Sequence, residues 1–173
     1  MALHWLSAMV VAGLLGWGLY MVDLPKGPDR SWAFGVHKSL GLLAVLLVLV
    51  RVAWCARHPA PVLAGIGRGV QRLAAAAHRL LYALLFAVPL AGLASASFTP
   101  YPLKFFGLAL PKPGRPDPAL NELLSGLHGV LAWALAAVII LHVAAAARHL
   151  LRGDGVVQRM LPGRPKPAGR GSR

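Results

Sequence analysis

Four long apolar runs divide the chain, at about 2–22, 35–56, 73–95 and 125–150. Between them lie stretches carrying Pro, Gly and charge. A run of about 20 apolar residues in a helix is long enough to cross the hydrocarbon core of a bilayer. The pattern therefore predicts an all-α fold, a transmembrane four-helix bundle, built as one domain over 1–161. Residues 162–173, rich in Arg, Pro and Gly, are expected to be a disordered basic tail. The stretch 23–32 holds Pro25, Gly27, Pro28 and Asp29 and reads as a short loop. The stretch 57–70 is a basic connection with His58 as a plain loop histidine. The longest connection, 98–124, carries Tyr101, Phe105 and Phe106 and is expected to lie as a hydrophobic loop on the membrane surface. Pro89 should kink the third span. Gly13, Gly16 and Gly18 form a small-residue seam that admits a close neighbour or a flat cofactor.

The polar residues inside these runs carry the chemistry. His128 and His142 stand 14 residues apart in the last run. At 3.6 residues per turn their imidazoles leave nearly the same face, about 40° apart, and at 1.5 Å per residue they are roughly 21 Å apart along the axis. One helix thus offers a nitrogen ligand near each membrane surface. His37 opens the second span, with Gly41 one turn on, where a missing side chain leaves room for a ring system. Arg51 follows 14 residues after His37 and points the same way at the other surface. An intramembrane arginine is costly and usually faces a partner. His4 begins the first span and His78-Arg79 the third.

Composition narrows the class. Only 13% of the 173 residues are charged and 57% are hydrophobic, against about 25% charged in soluble domains. The formal net charge of +13 does not imply nucleic acid, because the basic residues cluster at the ends of apolar runs. Twelve Lys and Arg fall in 51–79 and 148–173, and six fall on the opposite side with Asp23, Asp29, Asp117 and Glu122. The positive-inside rule then places both termini in the cytoplasm of a bacterial inner membrane protein. The first span lacks a basic n-region and is expected to be retained rather than cleaved. Cys55 is the single cysteine, so neither an iron–sulfur cluster nor thioether-linked haem is available.

Depth sorts four histidines into an outer pair, His37 with His128, and an inner pair, His4 with His142. Each pair joins two helices, as bis-histidine ligation of haem iron requires. Zinc fits poorly, since each level lacks a third or fourth ligand type. Arg51 at the inner level and Lys38 at the outer level are candidates to meet haem propionates. His78, Arg79 and His149 are candidates for a quinone site on the cytoplasmic side.

The sequence resembles the prokaryotic cytochrome b561 family of di-haem b-type membrane cytochromes. The likeness is carried by Leu3-His4-Trp5, His37-Lys38-Ser39-x-Gly41 with Arg51, and His78-Arg79-Leu80-x-Tyr82 with Pro89 and Gly92. Phe106-Gly107-Leu108, His128, His142, His149 and Arg159-Met160-Leu161-Pro162 complete it. The resemblance implies two haem b groups on His4, His37, His128 and His142. It also implies electron transfer across the membrane, in the superoxide oxidase type from superoxide at the outer face to ubiquinone. Two other readings remain open from the sequence. One is a cytochrome b subunit taking electrons from a partner dehydrogenase or hydrogenase. The other is a haem-free helical scaffold whose histidines only bridge helices.

Overall fold

The computed structural model describes residues 2–58, 67–153, 155 and 157. Four long helices, α1 (Ala2–Asp23), α2 (Pro28–Arg57), α3 (Arg68–Ser97) and α4 (Pro118–Arg152), pack together, and a small hairpin of β1 (Leu103–Phe105) and β2 (Leu108–Leu110) joins α3 to α4. All four helices are long and apolar enough to cross a membrane. Large apolar side chains such as Leu46, Leu73, Ile140 and Leu141 stand exposed on their outer faces. In water such a surface would associate; around a membrane bundle it is the lipid contact. The expected tail and the Arg159–Pro162 motif lie outside the described residues.

The helices run further than the apolar pattern suggests, and capping chemistry is the reason. The expected loop 23–32 shrinks to four residues, because Pro28 enters α2 at its first turn behind Gly27. A proline there loses nothing, since that N–H has no intrahelical partner in any case. Arg30 donates from Nη1 to the carbonyls of Val22 (3.0 Å) and Leu24 (2.6 Å), filling acceptors at the end of α1. The start of α4 moves from the expected 125 to Pro118. Asp117 caps it, its carboxylate accepting from the Leu120 N–H at 3.0 Å. The helix closes at Gly153, whose φ of 65° is left-handed. Pro89 sits inside an unbroken α3.

The expected surface loop at 98–124 is also corrected, since its middle is an antiparallel hairpin. Leu103 pairs with Leu110, Lys104 with Ala109 and Phe105 with Leu108. Phe106 (φ 46°) and Gly107 (φ 94°) make the turn. Two positive φ angles match the turn type whose twist suits a two-residue hairpin. Beyond the hairpin the chain is laced back to the end of α3. Lys112 Nζ donates to the carbonyls of Thr99 and Tyr101. The Asp117 N–H donates to the Phe98 carbonyl at 2.9 Å. A Cβ on Gly114 would lie 2.6 Å from the Ser97 carbonyl oxygen. That oxygen is backbone and cannot swing away, so Gly114→Ala is expected to destabilise the fold by about 1–3 kcal/mol. Thermal unfolding in detergent reads this directly, and an unchanged midpoint would contradict the close approach.

The core is narrow. Val11, Leu84, Val88 and Leu135 form its buried centre, with Leu15, Leu81, Leu85, Leu131 and Ile139 packed around them. α4 lies chiefly along α3, α1 along α2, and α2 along α3. Asn121 fastens α4 to α3, donating from Nδ2 to both the carbonyl and the hydroxyl of Ser95 at 2.9 Å. Trp17 Nε1 donates to the Ala33 carbonyl at 3.0 Å and ties α1 to α2. α2 and α4 make almost no direct contact with each other. The space between them is where the site lies.

Candidate functional site

A cleft of about 1040 Å³ of unfilled space, part of it open to the outside, runs between the helices. Its walls are apolar, with Leu15, Val48, Leu85 and Trp133 among them. The polar exceptions are two imidazoles, His37 from α2 and His128 from α4. Their ring centres are 6.1 Å apart and their planes are perpendicular, at 89°. Two metal–nitrogen bonds of about 2 Å each would place opposed ring centres roughly 6 Å apart. The spacing therefore matches two axial ligands on one iron.

The state of His128 can be read from its partner. Its Nδ1 lies 2.8 Å from the Val88 carbonyl oxygen. A carbonyl only accepts, so Nδ1 carries the proton and Nε2 is left with a lone pair, the form a metal ligand needs. Such a bond to the second nitrogen also fixes the ring's orientation. α3 makes room for it with Gly92, where a Cβ would come within 3.0 Å of His128 Nδ1. His37 is arranged differently. It lies against Gly18, where a Cβ would sit 3.4 Å from its Cε1. Its Nδ1 is buried and has no hydrogen-bond partner. Gly41 and Gly129 also line the cleft, while the positions a Cβ would take on Gly13 and Gly16 meet open space. An apolar slot lined by glycines, with an imidazole from each of two helices, fits a flat haem.

At the other end of the bundle His4, His78, His142 and Arg51 form one electrostatically interacting group. His78 and His142 meet edge to face, ring centres 5.3 Å apart. The Arg51 guanidinium donates from Nη2 to Nδ1 of His4 at 2.9 Å and lies over the Tyr82 ring, 5.4 Å from its centre. Tyr82 Oη is in turn 3.7 Å from Cys55 Sγ. An arginine cannot accept, so His4 Nδ1 is the acceptor and Nε2 holds the proton. The expected inner pair thus shares its place with His78 and Arg51. Lys38 is half-buried beside His37, close enough to Lys112 for the two charges to interact. Arg79 is exposed, and His149 is half-buried two turns beyond His142.

Sequence reasoning brought the four histidines to two levels. It did not find the Val88 carbonyl, Gly129, or the contact between Arg51 and His4. A backbone acceptor has no signature in the sequence, although Gly92 one turn after Val88 marks where a side chain is excluded.

Residues 1–163 match the family model described as prokaryotic cytochrome b561. Cytochrome b561 homolog 2 of Escherichia coli (strain K12) is 32% identical over 170 residues, covering 92% of this chain and 87% of the relative. A protein of Yersinia pestis named probable superoxide oxidase CybB is 28% identical over 165 residues, covering 92% of each.

Proposed function

Since the chain belongs to the prokaryotic cytochrome b561 family of membrane cytochromes, we propose that it holds two haem b groups and passes electrons from superoxide at the outer surface to ubiquinone. In this reading His37 and His128 hold the outer haem iron, and His4 and His142 hold the inner one. Haem held by these histidines would supply a one-electron couple suited to outer-sphere transfer. The observation that carries the reading is the opposed pair His37 and His128, 6.1 Å apart, with His128 Nδ1 committed to Val88. The relative named as a probable superoxide oxidase supports the choice of donor.

The chain's residues have distinct tasks. His128, bound through Nδ1 to Val88, presents Nε2 to the cleft. The apolar walls exclude water and leave the site at low dielectric. Among outward cations, Lys112 is committed to backbone carbonyls. Lys38 and Lys104 remain to meet an anion or a haem carboxylate. At the inner level His4 and His142 would hold the iron, and Arg51, 2.9 Å from His4 Nδ1, would be placed to meet a haem carboxylate. His78, Arg79 and His149 surround the quinone position, where a histidine hydrogen-bonds a ring carbonyl and moves a proton. The overall reaction takes one electron from each of two superoxide ions, releasing two dioxygen, and adds two electrons and two protons to each quinone. Both termini lie in the cytoplasm, which puts the protons' source on that side.

Two measurements test this. A reduced-minus-oxidised spectrum of the purified protein should show a b-type α-band, and intact folded protein without one would leave the haem-free scaffold. In stopped flow, superoxide with ubiquinone should reduce the protein's haem faster than superoxide dismutates. No reduction on that timescale, with rapid reduction by a membrane dehydrogenase, would favour the electron-transfer subunit instead.

A further inference from the structure

The turn at the tip of the hairpin contains a bulky residue in a conformation that side chains rarely adopt. Phe106 has φ 46°. In the left-handed region an ordinary residue's Cβ crowds the backbone. Such strain persists only where the surroundings hold it, and it tends to mark functional positions. What holds it here is one hydroxyl. The Phe106 N–H donates to Ser39 Oγ at 2.9 Å, and Ser39 in turn donates to the Gly35 carbonyl one turn back, also at 2.9 Å. Ser39 Oγ also lies 3.5 Å from the Lys104 carbonyl oxygen. Ser39 is 2% exposed and Leu103 at the hairpin base is 5% exposed, so this junction is closed to solvent. At the tip of the hairpin Phe106 and Leu108 are exposed, while the face opposite Leu103 carries Lys104 and Ala109.

Ser39 is two residues from His37. The two facing histidines are held by different means. His128 has a hydrogen bond that fixes its ring. His37 has none on its buried Nδ1, so the direction of its ring follows the placement of α2 and the packing around it. Trp17 ties α2 to α1 one turn before that histidine, at the Ala33 carbonyl, and Ser39 is the polar tie that fixes α2 just after it against the hairpin.

We infer that Ser39 is the positioning residue for His37: by pinning the strained hairpin turn to α2, it sets the axial and rotational position of that helix at the outer iron. This rests on the reading of His37 and His128 as the outer haem ligands. The hairpin then acts as a strut between its exposed apolar tip, Phe106 and Leu108, and the ligand.

The test uses the full-length, haem-loaded protein in lipid nanodiscs, as wild type, Ser39→Ala and Ser39→Thr. Two readouts are taken. Hydrogen–deuterium exchange of the 101–112 peptide does not depend on haem, and it should lose protection in Ser39→Ala and keep it in Ser39→Thr. The low-spin iron resonances, with the outer one assigned by its disappearance in His128→Ala, should show a shift of the outer signal alone in Ser39→Ala. The same signal should return to its wild-type position in Ser39→Thr. Unchanged exchange in Ser39→Ala would overturn the tie itself. Changed exchange with an unmoved outer signal, or an equal shift of both signals, would overturn the positioning role. Wild-type protein with no b-type haem would instead overturn the reading on which it rests.

Discussion

Replacing His128 with alanine is expected to halve the haem content of the purified protein and leave the remaining haem with its wild-type spectrum. The argument is geometric. Among the described residues, His37 is the one other imidazole lining the cleft with His128, at 6.1 Å between ring centres. The remaining lining residues there are apolar, so none of them would replace the lost ligand. His142 is 14 residues away on the same helix, roughly 21 Å along its axis. The two levels should therefore empty independently, and His37→Ala should empty the same one. Haem content per chain, measured as the pyridine complex, decides it. Retention of both haems in His128→Ala would defeat the pairing of ligands by level.

The second large effect is expected from a residue that bonds to nothing. Gly92→Ala would place a Cβ 3.0 Å from Nδ1 and 3.1 Å from Cε1 of His128. The ring cannot yield cheaply, because its Nδ1 is bonded to the Val88 carbonyl at 2.8 Å on the same side. Either that bond breaks and Nε2 loses its fixed lone pair, or α3 and α4 separate. Overpacking of this kind costs about 1–3 kcal/mol, which corresponds to roughly tenfold to hundredfold weaker retention of the outer haem. Competition for haem by an apo-globin measures it, and Gly92→Val should be worse than Gly92→Ala. Wild-type retention in both would mean that the close approach is not what orients the ligand.

The contrast between these two positions shows what the sequence could reveal. Histidines in apolar runs are rare enough to stand out, and helical periodicity then places them by depth. That reasoning placed His37 opposite His128, and the structure brings them together. The same reasoning paired His4 with His142 but could not anticipate that Arg51 would lie on His4 and that His78 would meet His142. Depth is a one-dimensional coordinate, and rotation about the bundle axis decides between neighbours at one level. The helix ends were misread for a different reason. Asp117-Pro118 and Gly27-Pro28 look like loop in a hydropathy profile, yet both are helix starts once the missing N–H of proline and the capping carboxylate are considered. The hairpin was hidden because its turn uses Phe106 where glycine or asparagine would have signalled it.

α4 supplies both His128 and His142 yet buries only Leu135 among its 35 residues, and it scarcely touches α2. The helix most committed to the chemistry is thus weakly gripped on the side where that chemistry happens. A molecule seated between His37 and His128 completes a joint that side chains leave open, and by mass action it favours the closed bundle over a loosened one. Supply of that molecule is then expected to raise the share of newly made chain in a closed, protease-resistant bundle, and limited proteolysis of membranes prepared with and without added haem would read it.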